Sequence, residues 1–216
     1  NWLVDLDAFE ASDTGRELKV IGAKGSTKIF KDVLVGEVWV CSGQSNMEWT
    51  VNGALNPTEE KESANYPHIR HIKVPKTPSD SHETTFNSNW QVCSPSSAGN
   101  FTAVGYFFGR TLHKKLGVPI GLINSSWGGT RIEPWIPTEG FRIIEKQDFA
   151  KGVLNHIESV DPTTDKGKTR HLAAIKDLKR WVVKAETAVK AGKFPPKQPA
   201  STYVGLGTSH QDPTRL

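Results

Sequence analysis

The chain has little of what marks a membrane protein or a metal protein. No apolar run approaches the roughly 18 consecutive residues that a membrane helix needs, and no basic segment followed by an apolar one opens the sequence. There are only two cysteines, Cys41 and Cys93, and they are too far apart in sequence for a metal-binding pair. We therefore expect no membrane span and no metal site. The two thiols are either buried and free or joined in one disulfide.

An initiator methionine and a polar leader are also missing. The first residues, NWLVDLDAFEAS, are typical of the middle of a folded protein. We interpret the 216 residues as a fragment or a processed product. Cysteine usage alone does not decide the redox compartment.

Acidic residues are scarce in one segment. The chain carries 27 Lys and Arg against 23 Asp and Glu, and residues 140–200 hold 13 of the basic side chains but only 7 of the acidic ones. This segment has helical periodicity and shows no basic stripe interleaved with aromatic residues. We interpret its lysines as a solvated helix face and expect no nucleic-acid partner.

Hydrophobic periodicity predicts an α/β domain. The β-branched run 33–41 is typical of a strand covered on both faces. Apolar side chains recur every four positions in 102–116, which predicts a helix that stops at Gly117, and VPIGLIN then reads as the next strand. The order of strand, helix and strand indicates a parallel sheet. Residues 52–100 read mostly as loop, with short strands at IRHIKV and WQVC.

The two ends of the chain differ from this middle part. Residues 1–31 contain short extended runs between turn residues, which we interpret as the last strands of a β-rich accessory domain. Within 140–192, apolar residues recur at three- and four-residue steps from Leu172 to Val189, which predicts an amphipathic helix, and FRIIEKQDFAKGVLNHI is a weaker helical partner. We interpret this segment as a helical hairpin inserted into an α/β domain that spans 32–216.

A polar motif follows the first predicted buried strand, in GEVWVCSGQSNMEW, residues 36–49. A serine hydroxyl is a weak nucleophile that needs exposure, a base and donors for the oxyanion. Gly43 permits the positive φ of a sharp turn, which would place Ser45 at or near a helix N-terminus with its N–H facing a substrate. The alternative is an ordinary N-cap serine. Met47 stands where the α/β-hydrolase elbow requires a small residue, which argues against that version of a serine enzyme.

A second glycine-rich turn follows the next strand, in INSSWGGTRIEPW, residues 123–135. The carboxyl ends of neighbouring parallel strands share one edge of a sheet, so the two turns can converge. Gly128 and Gly129 leave backbone N–H groups open to a ligand, and Thr130 with Glu133 has the spacing of a capping box that would begin a helix. A plain β-turn followed by a capped helix is the alternative. Together the two turns predict part of an oxyanion hole.

These motifs and the stretch FTAVGYFFGRTLHKKLGVPIGLINSSWGGTRIEPW resemble the sialate O-acetylesterase family within the SGNH hydrolases, over about residues 2–135 and more weakly at the final PTRL. The resemblance implies a flavodoxin-like three-layer α/β/α domain, present here in its N-terminal part. It also implies a serine esterase that removes O-acetyl groups from carbohydrate, in the manner of a sialate 9-O-acetylesterase or an acetylxylan esterase. Such an enzyme needs no cofactor, and family members are typically periplasmic, secreted or lysosomal.

The same resemblance assigns roles to residues. Ser45 is the expected nucleophile, and its own N–H and that of Gly128 or Gly129 are the expected oxyanion donors. The candidate substrate-binding residues are Gln44, Asn46, Trp127 and Arg131. Trp49 and Trp135 could join Trp127 in a sugar-stacking wall, although core packing is the commoner role of a large aromatic residue. Arg131 either meets a sugar carboxylate or is solvated.

The family's Gln-Gly-Glu segment and its Asp-x-x-His pair have no counterpart in this sequence. None of the seven histidines has an aspartate three positions before it. We expect the catalytic His and Asp to come from a C-terminal segment or a companion chain, with low activity for these residues alone. One alternative is a non-catalytic carbohydrate-binding domain of the same fold. A redox or acyl-transfer role for Cys41 is a weaker alternative, because no basic partner lies near it in sequence.

Overall fold

The computed structural model describes residues 4–77 and 83–199, which fall into two compact units. The first unit runs to Lys76 and resumes over Thr85–Gly129, and the second holds the remaining described residues. The first unit contains the strands, whereas the second is helical.

An antiparallel hairpin opens the first unit. Strands β1 (Ser12–Ile21) and β2 (Thr27–Val35) pair with each other in a two-stranded sheet of their own. The turn between them contains Gly25 at a φ of 77°, a left-handed conformation that favours glycine. The described part of the run NWLVDL, residues 4–6, lies in no strand. The assignment of this hairpin to an accessory domain stays a prediction.

A mixed sheet forms the centre of the unit. Its strands among the described residues are β3 (Glu37–Gly43), β4 (Tyr66–Lys73), β5 (Gln91–Cys93) and β6 (Ile120–Ser126), in the order β3-β6-β4-β5. β6 runs parallel to both β3 and β4, and β5 is antiparallel to β4. The predicted α/β class is therefore confirmed, and the predicted parallel pairing is present among β3, β6 and β4 but not for β5. In a flavodoxin-like sheet the first parallel strand along the chain lies between the second and the third. Here the third parallel strand, β6, lies between the first and the second, β3 and β4.

The helices of the first unit are α1 (Ser45–Glu48), α2 (Pro57–Glu62) and α3 (Ala103–Leu116). α3 packs on the sheet so closely that a methyl group at Gly109 would lie 3.3 Å from both Ile120 and Leu122. It ends at Gly117, whose φ of 68° is the left-handed conformation of a glycine C-cap, as predicted.

The face of α3 that packs differs from the predicted one. Of the series at every fourth position, Leu112 is partly buried against the core, whereas Val104, Phe108 and Leu116 are exposed. The buried residues of the helix are Ala103, Gly105, Tyr106 and Gly109. Small residues let the helix backbone approach the sheet, and that packing outweighs the spacing of large apolar side chains.

The prediction that the first long apolar run is a strand covered on both faces is wrong for the described structure. The run divides at Gly36, where a methyl group would overlap the carbonyl oxygen of Pro119, and only its second part forms β3. β3 is an edge strand of the sheet, and its Val38 and Val40 are 61% and 65% exposed. On the opposite face, Trp39 makes an edge-to-face contact with Phe108 of α3 at 5.0 Å between ring centroids.

The two cysteines are free and buried, so the disulfide alternative is wrong. Cys41 lies on β3 and Cys93 on β5, and the two intervening strands separate them in the sheet. Burial raises the pKa of both thiols, that of Cys93 to about 11. Protonated thiols are poor nucleophiles, which argues against a redox or acyl-transfer role for Cys41.

The second unit contains helices α4 (Thr138–Ile143), α5 (Asp148–Val160) and α6 (Asp165–Lys190). The two predicted helices of the hairpin are present and α5 packs against α6, although the weaker partner is interrupted between α4 and α5. Thr164 caps α6 by accepting a hydrogen bond from the Gly167 N–H at 2.9 Å. The assignment of this helical hairpin as an insertion into the α/β domain stays a prediction. No helix in 4–77 and 83–199 combines the length and apolar character that crossing a bilayer requires.

Candidate active site

The turn after β3 presents Ser45 to solvent. Gly43 has a φ of 142°, a conformation that favours glycine, and Gln44 occupies the N-cap position of the one-turn helix α1. Ser45 is the first helical residue and is exposed, and its carbonyl accepts a hydrogen bond from the Trp49 N–H at 2.9 Å. The N-cap alternative for Ser45 is therefore wrong. The serine lies at the carboxyl edge of a parallel strand, where ligands bind in open α/β sheets.

The second glycine-rich turn lies beside the first. Gly43 pairs in register with Ser126, and the Trp127 N–H donates a hydrogen bond to the Gly43 carbonyl at 2.9 Å. A methyl group on Gly128 would lie 3.3 Å from the Ser45 Cα and 3.4 Å from its Cβ. The structure thus brings Gly128 against Ser45, as the convergence of parallel strand ends predicts.

Glu48 is a member of this cluster that sequence reasoning missed. Its Oε2 accepts a hydrogen bond from the Gly128 N–H at 2.6 Å. Its Oε1 forms an ion pair with Lys76, and the Lys73 ammonium lies 3.9 Å away. Desolvation favours the protonated acid, but the bonds from Lys76 and Gly128 and the charge of Lys73 outweigh it, so the pKa of Glu48 is lowered. The carboxylate is therefore charged at neutral pH.

One sequence signal could have pointed to Glu48. It follows Ser45 by three positions, which in a helix places both residues on neighbouring parts of one face. The lysines gave a weaker signal, since Lys73 ends the predicted strand IRHIKV and Lys76 follows it. Nothing in the sequence connects these residues with Gly128, which is 80 positions from Glu48.

The residues at the start of α3 anchor α1. The Thr102 hydroxyl donates a hydrogen bond to the Met47 carbonyl at 2.5 Å, and the Ala103 N–H donates to the Trp49 carbonyl at 2.8 Å. Thr102 is completely buried, so this bond forms in a water-poor environment. The short helix is therefore held by tertiary contacts and does not depend on its own length.

The imidazole of His71 forms part of the same buried layer. It stacks on Phe101 with 4.4 Å between ring centroids, and its Nε2 has no hydrogen-bond partner among the described residues. Burial, with a smaller effect from the charge of Lys73, lowers its pKa to about 4. A neutral, stacked imidazole of this kind is a core residue.

Other histidines also contact neighbours that are not the candidate nucleophile. His113 Nδ1 lies 2.8 Å from the Val118 carbonyl and its ring is 6.0 Å from that of His68, and His171 Nε2 lies 2.7 Å from the Val160 carbonyl. His82, His210 and the final PTRL lie outside the described residues.

The predicted substrate-binding residues are placed as follows. Gln44 and Asn46 flank Ser45 and are exposed. Trp127 is half-buried, with the Lys76 ammonium 5.8 Å from its ring centroid. Trp49 is exposed, which fits a role in stacking better than one in the core. Arg131 is exposed and belongs to the second unit.

The predicted capping box after the second turn is wrong. Thr130 is buried and accepts a hydrogen bond from the Trp135 indole N–H at 2.9 Å, so its hydroxyl is engaged by a side chain. The helix that follows is a single 3₁₀ turn, Glu133–Trp135, with Ile132 at its N-cap position. The indole gives the threonine a different partner from the one that its spacing predicted.

The mixed α/β sheet and the polar cluster at its carboxyl edge are consistent with an SGNH-like carbohydrate esterase domain. The described residues contain no group of three or more His, Cys, Asp or Glu side chains that could hold a metal ion. Residues 35–161, more than half of the chain, match the family described as carbohydrate esterase, sialic acid-specific acetylesterase. The chain belongs to this family.

Individual relatives agree with the family match. The sialate O-acetylesterase of Mus musculus is 37% identical over an alignment of 145 residues, and the match covers 62% of this chain and 27% of that protein. The sialate O-acetylesterase of Homo sapiens is 38% identical over an alignment of 148 residues, and the match covers 62% of this chain and 28% of that protein. A crystal structure of a carbohydrate acetylesterase from Xanthomonas citri superposes with a TM-score of 0.61 at 41% identity, covering 64% of this chain and 32% of the other. The chain spans less than a third of the length of these curated relatives.

Proposed function

We propose that the protein carrying this chain is a serine esterase that removes O-acetyl groups from carbohydrate, with Ser45 as the nucleophile. The observation that carries the proposal is the exposed Ser45 at the carboxyl edge of a parallel strand, in contact with the second glycine turn. Relatives named sialate O-acetylesterase and carbohydrate acetylesterase support the choice of acetylated carbohydrate as the substrate.

The proposed reaction has two steps. A base takes the proton of the Ser45 hydroxyl while its oxygen attacks the acetyl carbonyl carbon, which forms a tetrahedral oxyanion. The bond from that carbon to the sugar oxygen then breaks, and the sugar leaves with the proton. Water attacks the acetyl-serine in the same way, which releases acetate and restores the serine. Neither step requires a metal or another cofactor.

The oxyanion would be held by backbone N–H groups. Ser45 is the first residue of α1, so its N–H has no acceptor within the helix. The single hydrogen of the Gly128 N–H is donated to the Glu48 carboxylate beside Ser45, so while this bond is made Gly128 holds the turn and does not itself donate to the oxyanion. Gly129, with a φ of 80°, is therefore the candidate donor of this turn.

The remaining parts of the machinery are proposed from the family resemblance. A C-terminal segment or a companion chain would supply the Asp-x-x-His pair, whose histidine is the base. Gln44, Asn46, Trp127 and Arg131 would contact the sugar. The complete domain would be an α/β/α sandwich with helices on both faces of the sheet.

The test compares Ser45→Ala with Ser42→Ala in the full-length protein. Ser42 is exposed on β3, three residues before Ser45, and serves as a matched control. Turnover of 4-nitrophenyl acetate, O-acetylated sialic acid and acetylated xylan would be measured. We expect Ser45→Ala to lower kcat by at least about 10⁴-fold and Ser42→Ala to change it by less than about threefold. Equal turnover in both variants would refute the proposal. Sugar binding by the unaltered protein without turnover would favour a carbohydrate-binding domain.

A further inference from the structure

We propose that Glu48 is a positioning residue that fixes the Gly128 amide against Ser45. The inference rests on the proposed function, because it concerns the same reaction. Glu48 does not take part in bond making. By accepting the Gly128 N–H, it holds the turn so that the next N–H, that of Gly129, can serve as the oxyanion donor.

One carboxylate connects three separate segments at this edge of the sheet. Its Oε2 accepts the 2.6 Å hydrogen bond from Gly128, in the turn after β6, while Glu48 itself ends α1. Its Oε1 pairs with Lys76, beyond the end of β4, and Lys73 at that end lies 3.9 Å away. A substitution of Glu48 therefore affects the glycine turn through a direct hydrogen bond and not through the packing of core residues.

The steric fit around Gly128 is tight. A methyl group there would lie 3.0 Å from the Glu48 Oε2 and 3.3 Å from the Ser45 Cα, so the glycine lies between the two residues. Lys76 also lies 5.8 Å from the ring centroid of Trp127, the residue before Gly128. The carboxylate and its lysine thus contact consecutive residues of the turn.

The turn needs a constraint of this kind. Two successive glycines have wide conformational freedom, and Gly129 adopts a φ of 80°. An oxyanion donor contributes only when its N–H is held where the charge develops. A charged acceptor binds an N–H about twice as strongly as a neutral one, and the two lysines keep the Glu48 carboxylate charged and in place.

The experiment uses the full-length protein with Glu48→Ala, Glu48→Gln and the control Glu60→Ala. Glu60 is a suitable control because its side chain is 25% exposed, against 22% for Glu48, and it also forms an ion pair, with Arg110 at 2.5 Å. Steady-state kinetics on O-acetylated sialic acid and 4-nitrophenyl acetate would give kcat and KM separately. Thermal midpoints would confirm folding.

The expected loss is in kcat. We expect Glu48→Ala to lower kcat by about 10- to 100-fold with KM changed by less than about threefold, because a displaced donor weakens the transition state more than the substrate complex. Glu48→Gln should recover most of the loss, since its amide oxygen still reaches the Gly128 N–H. Glu60→Ala should stay within about twofold of the unaltered enzyme.

Each other outcome has a defined meaning. Unchanged kcat in Glu48→Ala, with Ser45→Ala inactive, would overturn the positioning role and leave the esterase proposal intact. Activity that survives Ser45→Ala would overturn the esterase proposal itself. A raised KM at constant kcat would assign Glu48 to substrate binding and overturn the inference. If Glu48→Ala does not fold, Glu48→Gln must exceed the shorter Glu48→Asp in kcat, and the reverse order would refute the inference.

Discussion

The backbone N–H of Trp127 donates a hydrogen bond to the carbonyl oxygen of Gly43 at 2.9 Å. This bond continues the parallel pairing of β3 and β6 beyond Gly43 and Ser126, so that the two turns leave the sheet side by side. Ser45 lies two residues past Gly43, and Gly128 directly follows Trp127. Backbone pairing of the two strands thus sets the distance between the candidate nucleophile and the glycine turn that would supply an oxyanion donor.

Gly105 of α3 is a position where a single added methyl group should destabilise the first unit. In Gly105→Ala the new Cβ would lie 2.6 Å from the Thr102 Cγ2 and 2.8 Å from the Cys41 sulfur. Both side chains are buried. We expect the free energy of unfolding to fall by about 1–3 kcal/mol, the usual cost of overpacking, with a lower midpoint of urea unfolding.

The control for this change is Gly152→Ala on α5. A methyl group there has no neighbour within 4 Å, so only helix propensity changes. We expect a gain of about 0.5–1 kcal/mol, because alanine loses less backbone freedom than glycine in a helix. Similar effects of the two substitutions would contradict the close packing of α3 on β3.

His71 should make stability depend on pH. Its pKa is about 4 in the folded protein, against an ordinary value of 6.5. Between these values the unfolded chain binds a proton that the folded protein does not, so stability rises with pH. The contribution of neutral His71 to the free energy of unfolding is complete above pH 6.5 and is lost as the pH falls towards 4. For this group we expect a loss of about 2 kcal/mol between pH 7 and pH 5.

His71→Leu tests this linkage because leucine does not titrate and keeps an apolar contact with Phe101. The free energy of unfolding of both proteins would be measured at pH 7 and pH 5. The variant should show a pH dependence smaller by about 2 kcal/mol, whatever its stability at pH 7. An equal change in the free energy of unfolding between pH 7 and pH 5 in both proteins would show that the buried imidazole does not contribute to the pH dependence of stability.

The local features of this fold were predictable from sequence. The helix α3 with its Gly117 stop, the strand β6 and the sharp turn at Gly43 each depend on residues close together in the chain. The side-by-side placement of the two glycine turns followed from a general property of parallel sheets. These features explain why Ser45 could be identified as the candidate nucleophile.

Features that depend on distant partners were not predictable. The bond between Glu48 and Gly128 joins residues 80 positions apart, and the indole of Trp135 takes the hydroxyl that the capping box would have used. The exposure of Val38 depends on what packs against its face of the sheet, and a β-branched run does not contain that information. In each case a tertiary contact decides between local alternatives of similar free energy.

The most direct test of the central claim is covalent labelling of the nucleophile. Diethyl 4-nitrophenyl phosphate would be added to the full-length protein, and the modified peptide would be identified by mass spectrometry while esterase activity is followed. The account predicts one diethylphosphoryl group on Ser45 that accumulates in proportion to the loss of activity. Complete inactivation with Ser45 unmodified, or a label on another residue that tracks the loss of activity, would contradict it.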